Sequence, residues 1–245
     1  MKKLILIALG LCAFLTTKSQ EAKVHQSFEN LSEIKLPNSD KTSIKYDPTI
    51  SYIIVKQYKE LDSDYNNTFP LDEADGCYED SWIILKTKLD RKTDKYYYIT
   101  FLICPETEFY IYEEGNKEPT DKLFALNLVI PGNGAVYTSG HMGNFDVRQK
   151  FEFTNGKFLE VKQPYYYVGL KSKTLNTINI YQTKDCKKLI ATLPKNHEIE
   201  ILLTDESFTP SFYLVRTSFG LVGWAKLRAG QHESIDVEGL FYNND

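Results

Sequence analysis

The chain has 245 residues, with 29 lysines and arginines against 33 aspartates and glutamates, a formal net charge of −4. That balance argues against a nucleic-acid partner, which normally meets phosphates with a basic patch, and against docking on an anionic membrane surface. Its 17 tyrosines and 14 phenylalanines suit pleated, half-buried β surfaces, and the length suffices for one large or two modest domains.

Met1-Lys2-Lys3 precedes an apolar run from Leu4 to Leu15 that Thr16-Thr17-Lys18-Ser19 brings to an end. A short basic region followed by about a dozen apolar residues is the pattern of a secretory signal, whereas a membrane span needs roughly 20. Thr17 and Ser19 fit the −3 and −1 positions of a cleavage site. The expectation is therefore a signal peptide over 1–19, a mature chain from Gln20, and a periplasmic or secreted protein with no transmembrane segment. Such cleavage takes away three lysines and no acid, leaving 26 basic against 33 acidic side chains, a net charge of −7. Cys12 invites comparison with a lipidated cysteine, but the bulky Leu11 before it and the apolar residues after it argue against a lipoprotein. Cys77, Cys104 and Cys186 remain, an odd number. A Cys77–Cys104 bridge suits an oxidising compartment, and buried free thiols suit the same residues equally well.

Residues 20–50 are polar, contain Pro37 and Pro48, and read as an extended lead-in or edge. From Ser51 onward short apolar and aromatic runs alternate with turn residues, and no long stretch has the helical period. Trp82–Lys86 and Tyr96–Ile103 form the clearest early strand pair. Strands at 108–112 and 123–130 follow, then a Pro131-Gly132-Asn133-Gly134 turn into Ala135–Tyr137. Asn155-Gly156, between apolar alternations at 150–153 and 157–161, is a strong hairpin signal because both residues accept positive φ. The expected class is all-β, with an N-terminal antiparallel β-sheet domain, sandwich or barrel-like, over 51–163. A second β domain covers 164–245. The boundary is placed at Gln163-Pro164-Tyr165, since proline cannot donate to a central ladder. No low-complexity linker separates the two parts, so they are expected to pack together.

Residues 178–227 read as five short strands. Ile178 and Ile180 share a face, Ile199, Ile201 and Leu203 alternate with Glu198, Glu200 and Leu202, Tyr213 pairs with Val215, and Val222 and Trp224 close the set. Four runs stand in order: Ile178-Asn179-Ile180-Tyr181, Leu189 to Asn196 with its Leu193-Pro194-Lys195 turn, Phe212-Tyr213-Leu214-Val215, and Gly220-Leu221-Val222-Gly223-Trp224-Ala225. In order and spacing these resemble the bacterial SH3 domain, over about 50 to 60 of the 245 residues. That family shows a Leu-Asn-Val-Arg opening, a Leu-Pro-Lys-Gly turn, a Trp-Tyr-x-Val strand and a Gly-x-x-Gly-Trp-Val close. Tyr181, Phe212 and Asn196 stand where Arg, Trp and Gly are usual, although Asn accepts the left-handed turn. The resemblance implies a C-terminal SH3-like β-barrel that recognises peptidoglycan or an envelope protein or peptide. Tyr181, Phe212, Phe219 and Trp224 are its candidate ligand contacts, because aromatic faces suit apolar peptide and sugar surfaces. Trp224 fits the barrel core equally well. Residues 235–242 alternate well enough for one further strand, returning along the barrel or toward the first domain.

No serine elbow, Walker loop, dinucleotide fingerprint or zinc motif occurs, and neither a catalytic residue nor a cofactor is expected. Asp185-Cys186 is similar to the Asp-Cys pair of papain-like wall peptidases. Lys187-Lys188 follow it without a helix, and His197 lies beyond a turn. His141, in a Gly-rich loop with Asp146 and Arg148 nearby, reads as a general base or as a solvated turn residue. Asp62, Asp64, Asn66 and Glu73 occupy positions 1, 3, 5 and 12 of a calcium loop. Asn67 in place of Gly and the intervening Pro70 depart from that pattern. The alternative to a binding or scaffolding protein is a cell-envelope hydrolase or its inhibitor, acting through 51–160 with acids such as Glu79 and Asp80, or through the His141 loop.

Overall fold

The structure is a computed structural model that describes residues 28–37, 39, 41–58, 81–103, 107–141, 145–206 and 210–240. The class is all-β: the described residues form 17 strands in three sheets and no helical element. Cys77, Cys104, the 62–73 acidic stretch, Glu79 and Asp80 lie outside the described residues, as does the side chain of His141.

Two sheets make the first part. The strands β1 (Ser32–Lys35), β2 (Ser43–Tyr46), β8 (Asn127–Ile130), β9 (Ala135–His141), β10 (Asp146–Thr154) and β11 (Lys157–Glu160) form one of them, in that order. A five-stranded antiparallel meander forms the other, from β3 (Ser51–Gln57) through β4 (Ser81–Thr87), β5 (Tyr97–Ile103) and β6 (Thr107–Glu113) to β7 (Asp121–Phe124). Ile44, Leu128, Ile130 and Val136 of the first sheet and Leu85, Ile99, Phe101 and Phe109 of the second share one buried cluster, so the sheets face each other as a sandwich. Residues 20–50 are thus more than a lead-in. Their described portion supplies the β1–β2 hairpin, and β2 pairs with β8 in parallel, Ile44 opposite Leu128. A parallel pair requires a long crossover, and here the whole meander is that crossover.

Asp47 turns the chain from one sheet to the other. Its amide donates to Ile130 O at 3.2 Å, its Oδ1 accepts from the Thr49 amide and hydroxyl, and its Oδ2 takes the Arg91 guanidinium. Arg91 comes from the β4–β5 loop and also donates to Pro131 O at 3.1 Å, so three segments meet at one buried carboxylate. Burial works against charge on Asp47, but Thr49 and Arg91 outweigh it and hold the carboxyl below the ordinary range.

The turn at Asn155-Gly156 has φ of 53° and 77°, as a two-residue hairpin demands. A third sheet follows, in the order β12 (Tyr166–Lys173), β15 (Glu198–Thr204), β16 (Phe212–Thr217), β17 (Val222–Lys226), β13 (Ile178–Tyr181), β14 (Leu189–Leu193). It curls around its own core of Ile178, Ile180, Ile199, Ile201, Tyr213 and Val215, with Val237 and Leu240 closing one side. The expected strand at 235–242 does not form among the described residues. Arg228 and the loop after it instead make two isolated bridges, Thr174 with Val237 and Ala229 with Ser234. Asp236 fixes this loop: it is buried and accepts the Arg228 guanidinium and backbone amide. Satisfying that carboxylate locally replaces a continuous ladder.

The two parts pack through Phe145 and Val147 of the sandwich against Tyr166 and Val168. Arg148 lies 5.5 Å over the Tyr167 ring, and Gln163 Nε2 donates to Arg148 O at 2.6 Å.

Replacing Asp47 with Asn is expected to lower stability by about 1–3 kcal/mol at pH 7, because it takes the charge from a buried acceptor that Thr49 and Arg91 share. A carboxyl depressed in the folded state stabilises fully above its ordinary value of 3.8, and that contribution is lost as pH falls through the folded value. Chemical denaturation across pH should show the gap between parent and variant shrinking under acid conditions. A gap that stays constant to pH 2 would contradict this role.

Candidate functional site

Alternation along a strand sends successive side chains to opposite faces, and it builds an outer face on the third sheet. On β16, Tyr213, Val215 and Thr217 are buried while Phe212, Leu214 and Arg216 point outward. On β17, Gly223 and Ala225 are buried, leaving Val222, Trp224 and Lys226 outward. Trp224 therefore does not fill the core. The pattern that makes Val222 and Trp224 core residues is one residue out of step with the structure.

Trp224 stands opposite both Tyr181 on β13 and Leu214 on β16, so four strands carry one row of half-buried side chains: Tyr181, Trp224, Leu214 and Leu203. Leu203 joins the row because a bulge between Ile201 and Leu203 moves it off the core face. Phe212 stands opposite Lys226, whose Nζ lies 5.8 Å from the ring centroid. Asn179 Nδ2 donates to the Tyr181 hydroxyl at 3.2 Å and its Oδ1 accepts from Thr192, which fixes the phenol. Lys184 Nζ lies 5.3 Å over the Trp224 ring and is held there by Asp205. Beside this row runs a groove of about 560 Å³ lined by Tyr181, Phe212, Lys184, Lys226, Arg228 and Asp185 among others. Hydrogen bonds from the Thr183 hydroxyl and then the Lys187 amide hold the Asp185 carboxyl below its ordinary range.

Gly223 makes the close approach possible. A Cβ there would collide with Ile180 Cγ2 and sit 2.7 Å from Tyr181 O and 3.0 Å from Ile190 Cδ1, so any side chain would push β17 away from β13.

Three of the four expected aromatic residues, Tyr181, Phe212 and Trp224, thus come together. Phe219 does not: it is 86% exposed at the β16–β17 hairpin tip and borders a different groove with Lys171 and Arg216. Lys184 and Lys226 were not singled out by sequence, although the period of two on β17 places Lys226 on the face of Trp224.

The other sequence candidates fare differently. Cys186 is a free, half-buried thiol in the 183–186 turn beyond Tyr181, with φ of 56°. His197 donates its amide to Thr174 at the opposite end of the β13–β14 hairpin, so the two are not neighbours. Asp146 pairs with His141 in the backbone register, and Arg148 is engaged by Tyr167 at the contact between the parts. In the sandwich, a cleft of about 300 Å³ carries Asp90 and Glu113. Asp90 accepts the Lys92 amide and Glu113 pairs with Lys95 at 2.6 Å, so both acids are already engaged. Among the described residues no group of three metal-ligating side chains gathers, and no helix is long and apolar enough to cross a membrane.

No family model matches the chain, and no curated protein or solved structure matches it either.

Gly223→Ala is expected to cost about 1–3 kcal/mol through overpacking against a backbone carbonyl, seen as a lowered thermal midpoint. Unchanged stability would show that β17 and β13 have room to part.

Proposed function

We propose that this is an exported cell-envelope binding protein whose outer β13–β17–β16 face holds peptidoglycan. The observation that carries the reading is the outward placement of Trp224 in one row with Tyr181, and it is Tyr181 that lines, together with Phe212, the groove beside that row. Half-buried aromatic side chains gathered on one outer face make the kind of contiguous apolar patch that marks an interaction site. Aromatic faces pack well against the C–H surfaces of sugars and apolar peptide. A groove of about 560 Å³ has the size of a small-ligand site, and a narrow, extended polymer enters it more readily than the broad surface of a folded protein. The resemblance of residues 178–227 to the bacterial SH3 domain and the signal-like segment at 1–19 support the same reading.

Co-sedimentation of the mature protein with purified peptidoglycan sacculi tests it. The parent protein should be retained. Trp224→Ala should weaken retention about 30-fold, the effect of losing a buried aromatic anchor worth about 2 kcal/mol. Leu159→Ala, at an exposed site on the sandwich, should behave as the parent. Equal retention of the Trp224 and Leu159 variants, or none of the parent, would overturn the reading.

A further inference from the structure

The charges along this groove are not all alike. Arg228 is engaged by buried Asp236 through two guanidinium nitrogens, and Lys184 is engaged by Asp205. Asp185 accepts from Thr183 and the Lys187 amide, and lies 3.6 Å from Lys187 Nζ. Lys226 is exposed and stands over Phe212, and among the described residues it pairs with no carboxylate. The groove therefore presents one uncompensated positive charge beside two aromatic rings, on a chain whose net charge is negative. A cation that no acid of the protein neutralises attracts an acid of the ligand, and it does so beside the rings where apolar contact fixes the ligand's position.

From this, and resting on the reading above, we propose that the groove selects a carboxylate on the peptidoglycan stem peptide, paired by Lys226 while the apolar part of the ligand lies against Phe212 and Tyr181. Specificity then comes from the charge and most of the affinity from the rings. The two contributions are separable.

Native sacculi and sacculi whose carboxyls have been converted to neutral amides by carbodiimide and ethanolamine provide the test, with the parent, Lys226→Gln and Trp224→Ala proteins compared by co-sedimentation. Lys226→Gln sits at an exposed site, and its circular dichroism should match the parent. On native sacculi it should bind at least about threefold more weakly than the parent. On amidated sacculi the parent should fall to the level of Lys226→Gln, and the variant should lose nothing further, because the two changes remove the same pair. Parent binding should also weaken as salt is raised from 50 to 500 mM. If Trp224→Ala loses binding while amidation and Lys226→Gln leave it unchanged, the carboxylate assignment is overturned and the binding face stands. If the parent fails to bind native sacculi, both fall.

Discussion

The candidate face depends on how closely β17 can lie against β13, and Gly223 sets that distance. With a hydrogen at this position, the strand passes beside Tyr181 O and the Ile190 side chain, where a methyl group would meet a carbonyl oxygen at 2.7 Å. The consequence reaches across the sheet. Trp224, next in sequence, comes opposite Tyr181, and through the β16–β17 register it also stands opposite Leu214. Moving β17 by one residue would bury Val222 and Trp224 and expose Gly223 and Ala225. The small residues at 223 and 225 against the core, as much as the large ones outside, hold the indole outward.

The sandwich contributes a frame for this face rather than a second copy of it. Its two sheets are stitched at Asp47, where the chain leaves β2 for the meander and where Arg91 returns from the β4–β5 loop. A carboxylate in that place must be fully satisfied, because an unpaired charge there would cost more than the pair contributes. The third sheet is fixed to this frame by Tyr166 and Val168 on Phe145 and Val147, with the Arg148 guanidinium stacked on Tyr167. Trp224 and the strand residues that line the neighbouring groove lie on β13, β16 and β17, strands that make no part of that contact cluster.

Much of the fold was legible in the sequence wherever one rule acted alone. The β4–β5 pair, the Asn155-Gly156 hairpin and the left-handed Asn196 at φ 65° all follow from local preferences. The parallel β2–β8 pairing was not legible, because Ser43–Tyr46 meets its partner only after the whole meander intervenes. On β17 two rules conflicted. Hydrophobicity assigns Val222 and Trp224 to the core, while the period of two, read with Tyr213 and Val215, buries Gly223 and Ala225 instead. The side chains of glycine and alanine are too small to announce a core face. Leu203 misled for another reason, since a bulge changes the phase of alternation without leaving a proline or glycine as a sign. Of the site, the aromatic members could be named in advance. The charged ones could not, because whether Lys226 is free or paired depends on which acids the loops after β13 and β17 bring near.

The chain holds two tryptophans, which permits a direct optical test of whether Trp224 meets ligand. In a Trp82→Phe protein, all indole fluorescence comes from Trp224. Titration with soluble peptidoglycan fragments released by a muramidase should shift its emission and reduce its quenching by iodide, saturating with the same midpoint as fragment binding measured by equilibrium dialysis. Bound fragments that leave the emission and the iodide quenching of Trp224 unchanged would contradict a binding face built on this residue.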